Sequence, residues 1–206
     1  MFYINTFINS IITFECELVL NIAVEKNKFK LCIFGDGGVG KTSLTHRFLQ
    51  NVFDEDLKMT IGAELSVKYL EVEGHSIGLR VWDFAGEERF KVLFPSFVKG
   101  ADGGAFMFDI TRRFSLKRFP EWLSFFAQEM KATKRRIPII MVGGKLDLED
   151  KRSIPTQEAI ELAKSSELQG YFECSAKTGE NVNNIFEIIS KLMMINSGLI
   201  KPNSIS

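Results

Sequence analysis

Residues Gly35-Asp36-Gly37-Gly38-Val39-Gly40-Lys41-Thr42 constrain this chain more than any other segment. They fit the pattern of Gly, four residues, then Gly-Lys and a hydroxyl residue. The apolar run Leu31-Cys32-Ile33-Phe34 precedes them, and Ser43 to Gln50 follows without Gly or Pro, so the order reads strand, glycine loop, helix. Glycines let backbone wrap an anion without Cβ clashes. The loop N–H groups and the helix N-terminus, where Ser43 joins the set, then point at phosphates. Lys41 would reach the β- and γ-phosphates, and the Thr42 hydroxyl would bind Mg²⁺. The pattern calls for a nucleoside triphosphate and leaves the base, and whether the triphosphate is cleaved, open.

The bulk numbers suit one soluble domain. The chain has 206 residues, and 26 Lys+Arg balance 26 Asp+Glu. Zero net charge argues against nucleic acid as a partner and supplies no polybasic membrane patch. Cys16, Cys32 and Cys174 form no metal-type cluster and read as reduced thiols. His46 is expected on a helix surface and His75 in a turn. No apolar run of about 18 residues is present, so no membrane-spanning helix is expected. The start lacks a secretory or myristoylation signal, and the last residues, Lys201 to Ser206, hold no cysteine to prenylate. The expected location is cytoplasmic, with at most peripheral membrane contact.

From Lys28 onward strands and helices alternate. Leu31–Phe34, Ala105–Asp109 and Ile137–Val142 are near-continuous apolar runs, as central parallel strands require. Leu65–Glu73 and Ile77–Asp83 flank Gly74-His75-Ser76 and predict an antiparallel hairpin at one sheet edge. Helices are predicted over 41–50, 115–132, 156–168 and 181–195, with Pro155-Thr156 starting the third and Asn181 capping the last. Phe119, Trp122, Leu123, Phe126 and Met130 recur at helical spacing and predict a core-facing stripe. Right-handed crossovers then give a three-layer α/β sandwich.

Residues 1–27 stand outside this alternation. Phe14, Cys16, Leu18, Leu20, Ile22 and Val24 alternate with other residues in a strand pattern, and Ile4, Phe7, Ile8, Ile11 and Ile12 suggest an amphipathic lead. An added strand, an interfacial helix and a functionless leader are all open readings. Residues 28–196 are expected to form the domain and 197–206 a short flexible tail.

Further motifs follow the loop: Phe53, Thr60-Ile61-Gly62, Asp83-Phe84-Ala85-Gly86-Glu87, Lys145-Leu146-Asp147 and Ser175-Ala176-Lys177. Together they resemble the small GTPases of the Ras superfamily, over about Lys28 to Asn196. The Rab branch is the nearest match, through Trp82 to Phe90 and Phe108-Asp109-Ile110-Thr111. The resemblance implies a P-loop NTPase fold (a Ras-like G domain) with a mostly parallel six-stranded sheet and one antiparallel edge strand. It implies Mg²⁺ at Thr42, Thr60 and Asp83. The γ-phosphate would meet Lys41, Thr60 and the Gly86 N–H, and Glu87 with the Thr60 carbonyl would hold the attacking water. Phe53 would pack on the base edge, Lys145 would cover its plane, and the Ala176 N–H would meet its O6. The Asp147 carboxylate suits the N1–H and exocyclic amine of guanine, a donor pair that adenine lacks. Ser175 and Lys177 complete that loop.

Two positions depart from the family. Gly144 stands where the family has the Asn of its Asn-Lys-X-Asp motif, so an amide tying base to phosphate loop is missing. The loss is worth about 1–3 kcal/mol, and Gly144→Asn is expected to tighten nucleotide binding. Glu87 stands where the family commonly has Gln, bringing negative charge near the γ-phosphate. Gly37, in contrast, leaves room for the transition state and for an arginine from a partner.

The reading is a GTP-hydrolysing switch, slow without an activating protein. Effector, exchange-factor and activating proteins would bind at residues 52–66 and 84–97, with Phe90, Leu93, Phe94 and Phe97 supplying apolar contacts or packing beneath. Two other readings remain: a nucleotide-locked scaffold without useful turnover, and a phosphate-loop kinase using Arg112, Arg113 and Arg118.

Overall fold

The computed structural model of the chain describes residues 27–54, 57 and 59–202. The readings of residues 1–26 and the end of the tail lie outside them. Six strands form one sheet: β1 (Lys28–Phe34), β2 (Ala63–Val72), β3 (His75–Phe84), β4 (Gly103–Asp109), β5 (Ile139–Gly144) and β6 (Tyr171–Glu173), in the order β2-β3-β1-β4-β5-β6. All neighbours pair in parallel except β2, which runs antiparallel to β3 at the edge. The helices are α1 (Lys41–Gln50), α2 (Phe94–Val98), α3 (Arg113–Lys117), α4 (Phe119–Thr133), α5 (Thr156–Ser165) and α6 (Val182–Asn196), with 3₁₀ turns at Glu88–Leu93 and Leu146–Lys151.

Side chains alternate across a strand, and β1 builds two cores this way. Leu31 and Ile33 join Leu44 and Phe48 of α1 and Ile185, Phe186 and Ile189 of α6. Cys32 and Phe34 join Phe94 of α2, Phe119, Trp122 and Phe126 of α4, and Ala159 and Ala163 of α5. The three predicted layers follow from this. Leu123 and Met130 lie half-buried against the second core, which completes the predicted stripe. Leu199 and Ile200, read as tail, are half-buried against the first core. Burial pushes the Cys32 and Cys174 thiols up to about 12, so neither offers a thiolate.

Several element ends differ from expectation. His75 opens β3, because the hairpin turns at Glu73 and Gly74, whose φ values of 50° and 72° meet the two-residue turn requirement. The helix predicted over 115–132 is two helices. Arg118 sits at the junction and Pro120, lacking an N–H, lies in the first turn of α4. α5 stops at Ser165, where Glu167 takes φ 55° and Leu168 N–H donates to the Ala163 carbonyl, a Schellman ending. Asn181 precedes α6 at φ 59° and makes no side-chain cap bond, while its amide N–H donates to the Glu173 carbonyl. Cys174 falls just beyond β6.

Candidate functional site

Parallel strands deliver their following loops to one edge of the sheet, outside their carboxyl ends. β1 leads to the glycine loop, β3 to Ala85-Gly86-Glu87, β4 to Asp109, β5 to Lys145 and Asp147, and β6 to Ser175-Ala176-Lys177. These loops enclose a cavity of ≈ 450 Å³. Gly37, Gly38, Val39, Gly40, Lys41, Thr42 and Ser43 line one part of it. Phe53, Thr60, Gly86 and Glu87 line a second part, and Lys145, Asp147, Ala176 and Lys177 a third. Gly35, Asp36, Asp83 and Ser175 are not in the lining.

The glycine loop has the backbone that its composition requires. Gly38 and Gly40 take φ 71° and 104°, and Gly35 takes φ 139° with no space for a Cβ, which would lie 2.1 Å from the Met107 carbonyl oxygen. Lys41 is buried, and its ammonium donates to the Gly35 and Asp36 carbonyls at 2.9 and 2.8 Å. Burial pushes that ammonium down to about 8, against the pull of Asp83 and Asp36. A phosphate in the loop would replace two neutral acceptors by an anionic one. The Asp36 side chain turns away from the cavity. Its carboxylate accepts from Trp122 Nε1 at 3.0 Å and lies 3.7 Å from Arg118 Nε, which anchors the loop to α4.

Thr42, Thr60 and Asp83 converge. The two hydroxyl oxygens are 2.7 Å apart, and Thr42 donates to Asp83 Oδ2. Among the described residues, the buried Asp83 Oδ1 has no hydrogen-bond partner. Burial raises the Asp83 carboxyl above its usual range, opposed by Lys41 and Thr42. A carboxylate with an orphaned oxygen beside two hydroxyls is a hard-oxygen set of the kind that suits Mg²⁺ or its bound water. Gly86 is pressed on the glycine loop, where a Cβ would lie 2.2 Å from the Asp36 carbonyl carbon. Glu87 is paired with Arg89 at 2.9 Å, so its charge is partly neutralised.

At the other end of the cavity, Ser175 donates to Asp147 Oδ1 at 2.6 Å. Ser175 therefore aims the carboxylate. Lys145, at φ 68°, pairs its ammonium with the buried Asp109 at 2.8 Å, which stretches its stem along the cavity wall. Burial would raise Asp109, but Lys145 and Thr111 outweigh it and hold its carboxyl below the usual range. Arg47 of α1 donates to the Ala176 carbonyl at 2.7 Å and to the Lys177 carbonyl at 2.6 Å. Sequence reading gave no role to Asp109, Arg47, Met107 or the Trp122–Asp36 bond. Asp109 was visible within the quoted Phe108–Thr111 motif, whereas nothing local marks the others.

Residues 30–195 match the family described as Ras family. The chain belongs to that family. It is similar to Ras-related protein Rab-13 of Canis lupus familiaris, 36% identical over 170 residues, covering 82% of each chain. It is also similar to Ras-related protein Rab-11C of Dictyostelium discoideum, 39% identical over 159 residues, covering 77% of this chain and 69% of that one. A third relative is Ras-related protein RABA4b of Arabidopsis thaliana, 38% identical over 162 residues, with 78% and 70% covered. As a Ras-family small GTPase, the protein binds guanine nucleotide, hydrolyses GTP to GDP, and works as a switch read by regulatory and effector proteins. Family membership gives no support to the scaffold or kinase readings.

Proposed function

We propose that this Ras-family protein is a Rab-like switch in membrane-trafficking regulation, with its chemistry carried by the residues that line or border the ≈ 450 Å³ cavity. The observation that supports this most is the convergence of Lys41, Thr42, Thr60, the half-orphaned Asp83 and the Ser175-aimed Asp147 around one ≈ 450 Å³ space. Thr42, Thr60 and Asp83 would hold Mg²⁺, which neutralises phosphate charge when bound. Lys41 and the Gly35–Ser43 backbone cradle the phosphates, and the Gly86 N–H donates to the γ-phosphate. Glu87 and the Thr60 carbonyl accept from the attacking water, whose oxygen bonds to the γ-phosphorus as the bond to the bridging oxygen breaks. These residues position the reactants and stabilise charge, and none of them forms a covalent intermediate. Asp147 reads guanine, the Lys145 stem covers its plane, the Ala176 N–H meets O6, Lys177 flanks the base and Phe53 packs on its edge.

Cleavage would release Thr60 and Gly86, so partners would read residues 52–66 and 84–97. Ile61 is 79% exposed and Val92 80%, as a docking surface needs, while Phe94 is buried with Phe84 and Trp122 and belongs to the core. Phe97 packs on Trp82 and Phe90 is half-buried with the Arg89 guanidinium over its ring, while Leu93 and Val92 point outward. No helix among the described residues is long and apolar enough to cross a membrane. The proposed setting is the cytoplasm, with peripheral membrane contact through partners.

Chromatography of nucleotide released from the denatured protein tests the site. Stoichiometric GDP or GTP supports it, and copurifying adenine nucleotide rejects it. Single-turnover hydrolysis of loaded GTP, with and without Mg²⁺, then tests the metal assignment.

A further inference from the structure

Met107 stands where three parts of the site meet. It lies on β4, is buried, and contributes to the cavity wall. A Cβ built on Gly144 would lie 2.4 Å from Met107 Cε, and one on Gly40 would lie 3.4 Å from the same methyl. The Gly144 Cβ would also stand 3.2 Å from the Val39 carbonyl oxygen. The methyl is therefore wedged between the glycine loop and the end of β5, from which Lys145 and Asp147 depart. Gly144 does not have a positive φ. Its backbone would accept any residue, and a side chain there meets the methionine methyl first and the Val39 carbonyl oxygen next. A thioether is unbranched and polarizable, and it fills irregular gaps well.

We infer that Met107 is a positioning residue for guanine recognition, and that Met107 and Gly144 form a coupled pair in which the thioether occupies the space of the missing side chain. This rests on the proposed base-reading role of Asp147. Met107 packs the phosphate side of the site against the base side, a packing tie in place of an amide tie. Truncating it opens a void between the two loops and lets Asp147 drift from the base. Asparagine at 144 in the native background must first displace the methyl from its place between the loops, so the packing tie is lost as the amide enters. With the methyl gone, only the Val39 and Phe108 carbonyl oxygens, at 3.2 and 3.4 Å, still crowd the new Cβ. The effect of Gly144→Asn thus changes sign with residue 107, which revises the expectation that this substitution alone tightens binding.

The test uses the full chain and fluorescent GDP release, with affinities for GDP and for IDP, whose base lacks the exocyclic amine. Met107→Ala should speed release on the order of tenfold, equivalent to about 1.4 kcal/mol, and should narrow the preference for GDP over IDP. Gly144→Asn alone should also speed release, and the double variant should release more slowly than either single one. Met107→Leu, which conserves volume, should stay near the native rate and preference. If Met107→Ala fails to fold, Met107→Val must show the same direction. Slower release in Gly144→Asn alone, additive effects in the double variant, or an unchanged GDP/IDP preference in the truncated variants would each overturn the inference. Asp147→Ala is the control. If it abolishes the GDP/IDP preference while Met107→Ala does not, the Met107 inference alone fails. If it leaves that preference unchanged, the base-site reading fails and the inference goes with it.

Discussion

Glu87 shows how one residue in this site carries both chemistry and cost. Glu87 lines the cavity, and its carboxylate is held by Arg89 at 2.9 Å. Near a γ-phosphate it brings negative charge to negative charge, and it cannot donate as an amide would. Replacing it by glutamine removes the charge and frees Arg89. Glu87→Gln should therefore raise the single-turnover rate of GTP hydrolysis by about tenfold, or ~1.4 kcal/mol of barrier, with GDP affinity little changed. A slower variant would mean that the carboxylate acts as an acceptor which the amide cannot replace. At this scale Lys41 and Thr42 are marked by one short motif, whereas Thr60, Asp83 and Asp147 were singled out through the resemblance. Asp36 was less legible. Its place in the glycine loop gives no hint that its side chain bonds Trp122, 86 positions away.

Between elements, the site depends on ties that cross the sheet edge. Arg47 links α1 to the loop after β6 through two carbonyls, and its NH1 group also donates to the Asn51 carbonyl. A planar fork aims its N–H groups at separated acceptors in a fixed geometry, which a compact ammonium does not reproduce. Arg47→Ala should speed GDP release about tenfold, since charged hydrogen bonds are worth roughly 1.5–3 kcal/mol, and Arg47→Lys should recover only part of that. Equal release from all three proteins would remove Arg47 from the positioning set. A second tie joins Arg152 to Glu173 through two bonds of 2.8 and 2.7 Å, with Tyr171 and Thr156 also donating to Glu173. Burial would raise Glu173, but these partners hold its carboxyl below its ordinary value of 4.5. A carboxyl lowered by folding contributes stability that is full above its unfolded pKa and lost as pH falls through the folded one. Glu173→Gln should cost about 1–3 kcal/mol at neutral pH. In thermal melts the gap from the native protein should close as pH drops below 4.5. A gap independent of pH would assign the loss to packing. Periodicity predicted most of these elements well, because a buried stripe is a local pattern. It missed the ends at Arg118, Ser165 and Asn181, where a proline and the left-handed residues Glu167 and Asn181 decide.

For the whole molecule, strand order was not legible in the sequence, since apolar runs mark parallel strands without ranking them; the resemblance implied only the mostly parallel six-stranded sheet with one antiparallel edge strand. The runs do explain why the sheet can be covered on both faces, and the two cores on either side of β1 make it so. Every residue proposed for the site lies between Gly35 and Lys177, and the first strand begins at Lys28 with its own partners in β3 and β4. Asn27 adds one bond, its carbonyl accepting from Gly78 N–H. Deleting residues 1–26 keeps that bond and every site residue, so GDP affinity should stay within about twofold, a change below ~0.5 kcal/mol. The melting temperature then separates the open readings of that segment. An added strand covering apolar side chains contributes burial of roughly 1.5–3 kcal/mol each before entropy costs, so its loss should lower the melting temperature clearly. An interfacial segment should leave melting alone and abolish binding to anionic vesicles. A truncated protein unchanged in both assays favours a functionless leader, while lost GDP binding would show that the nucleotide site extends beyond the cavity and reaches into the first 26 positions.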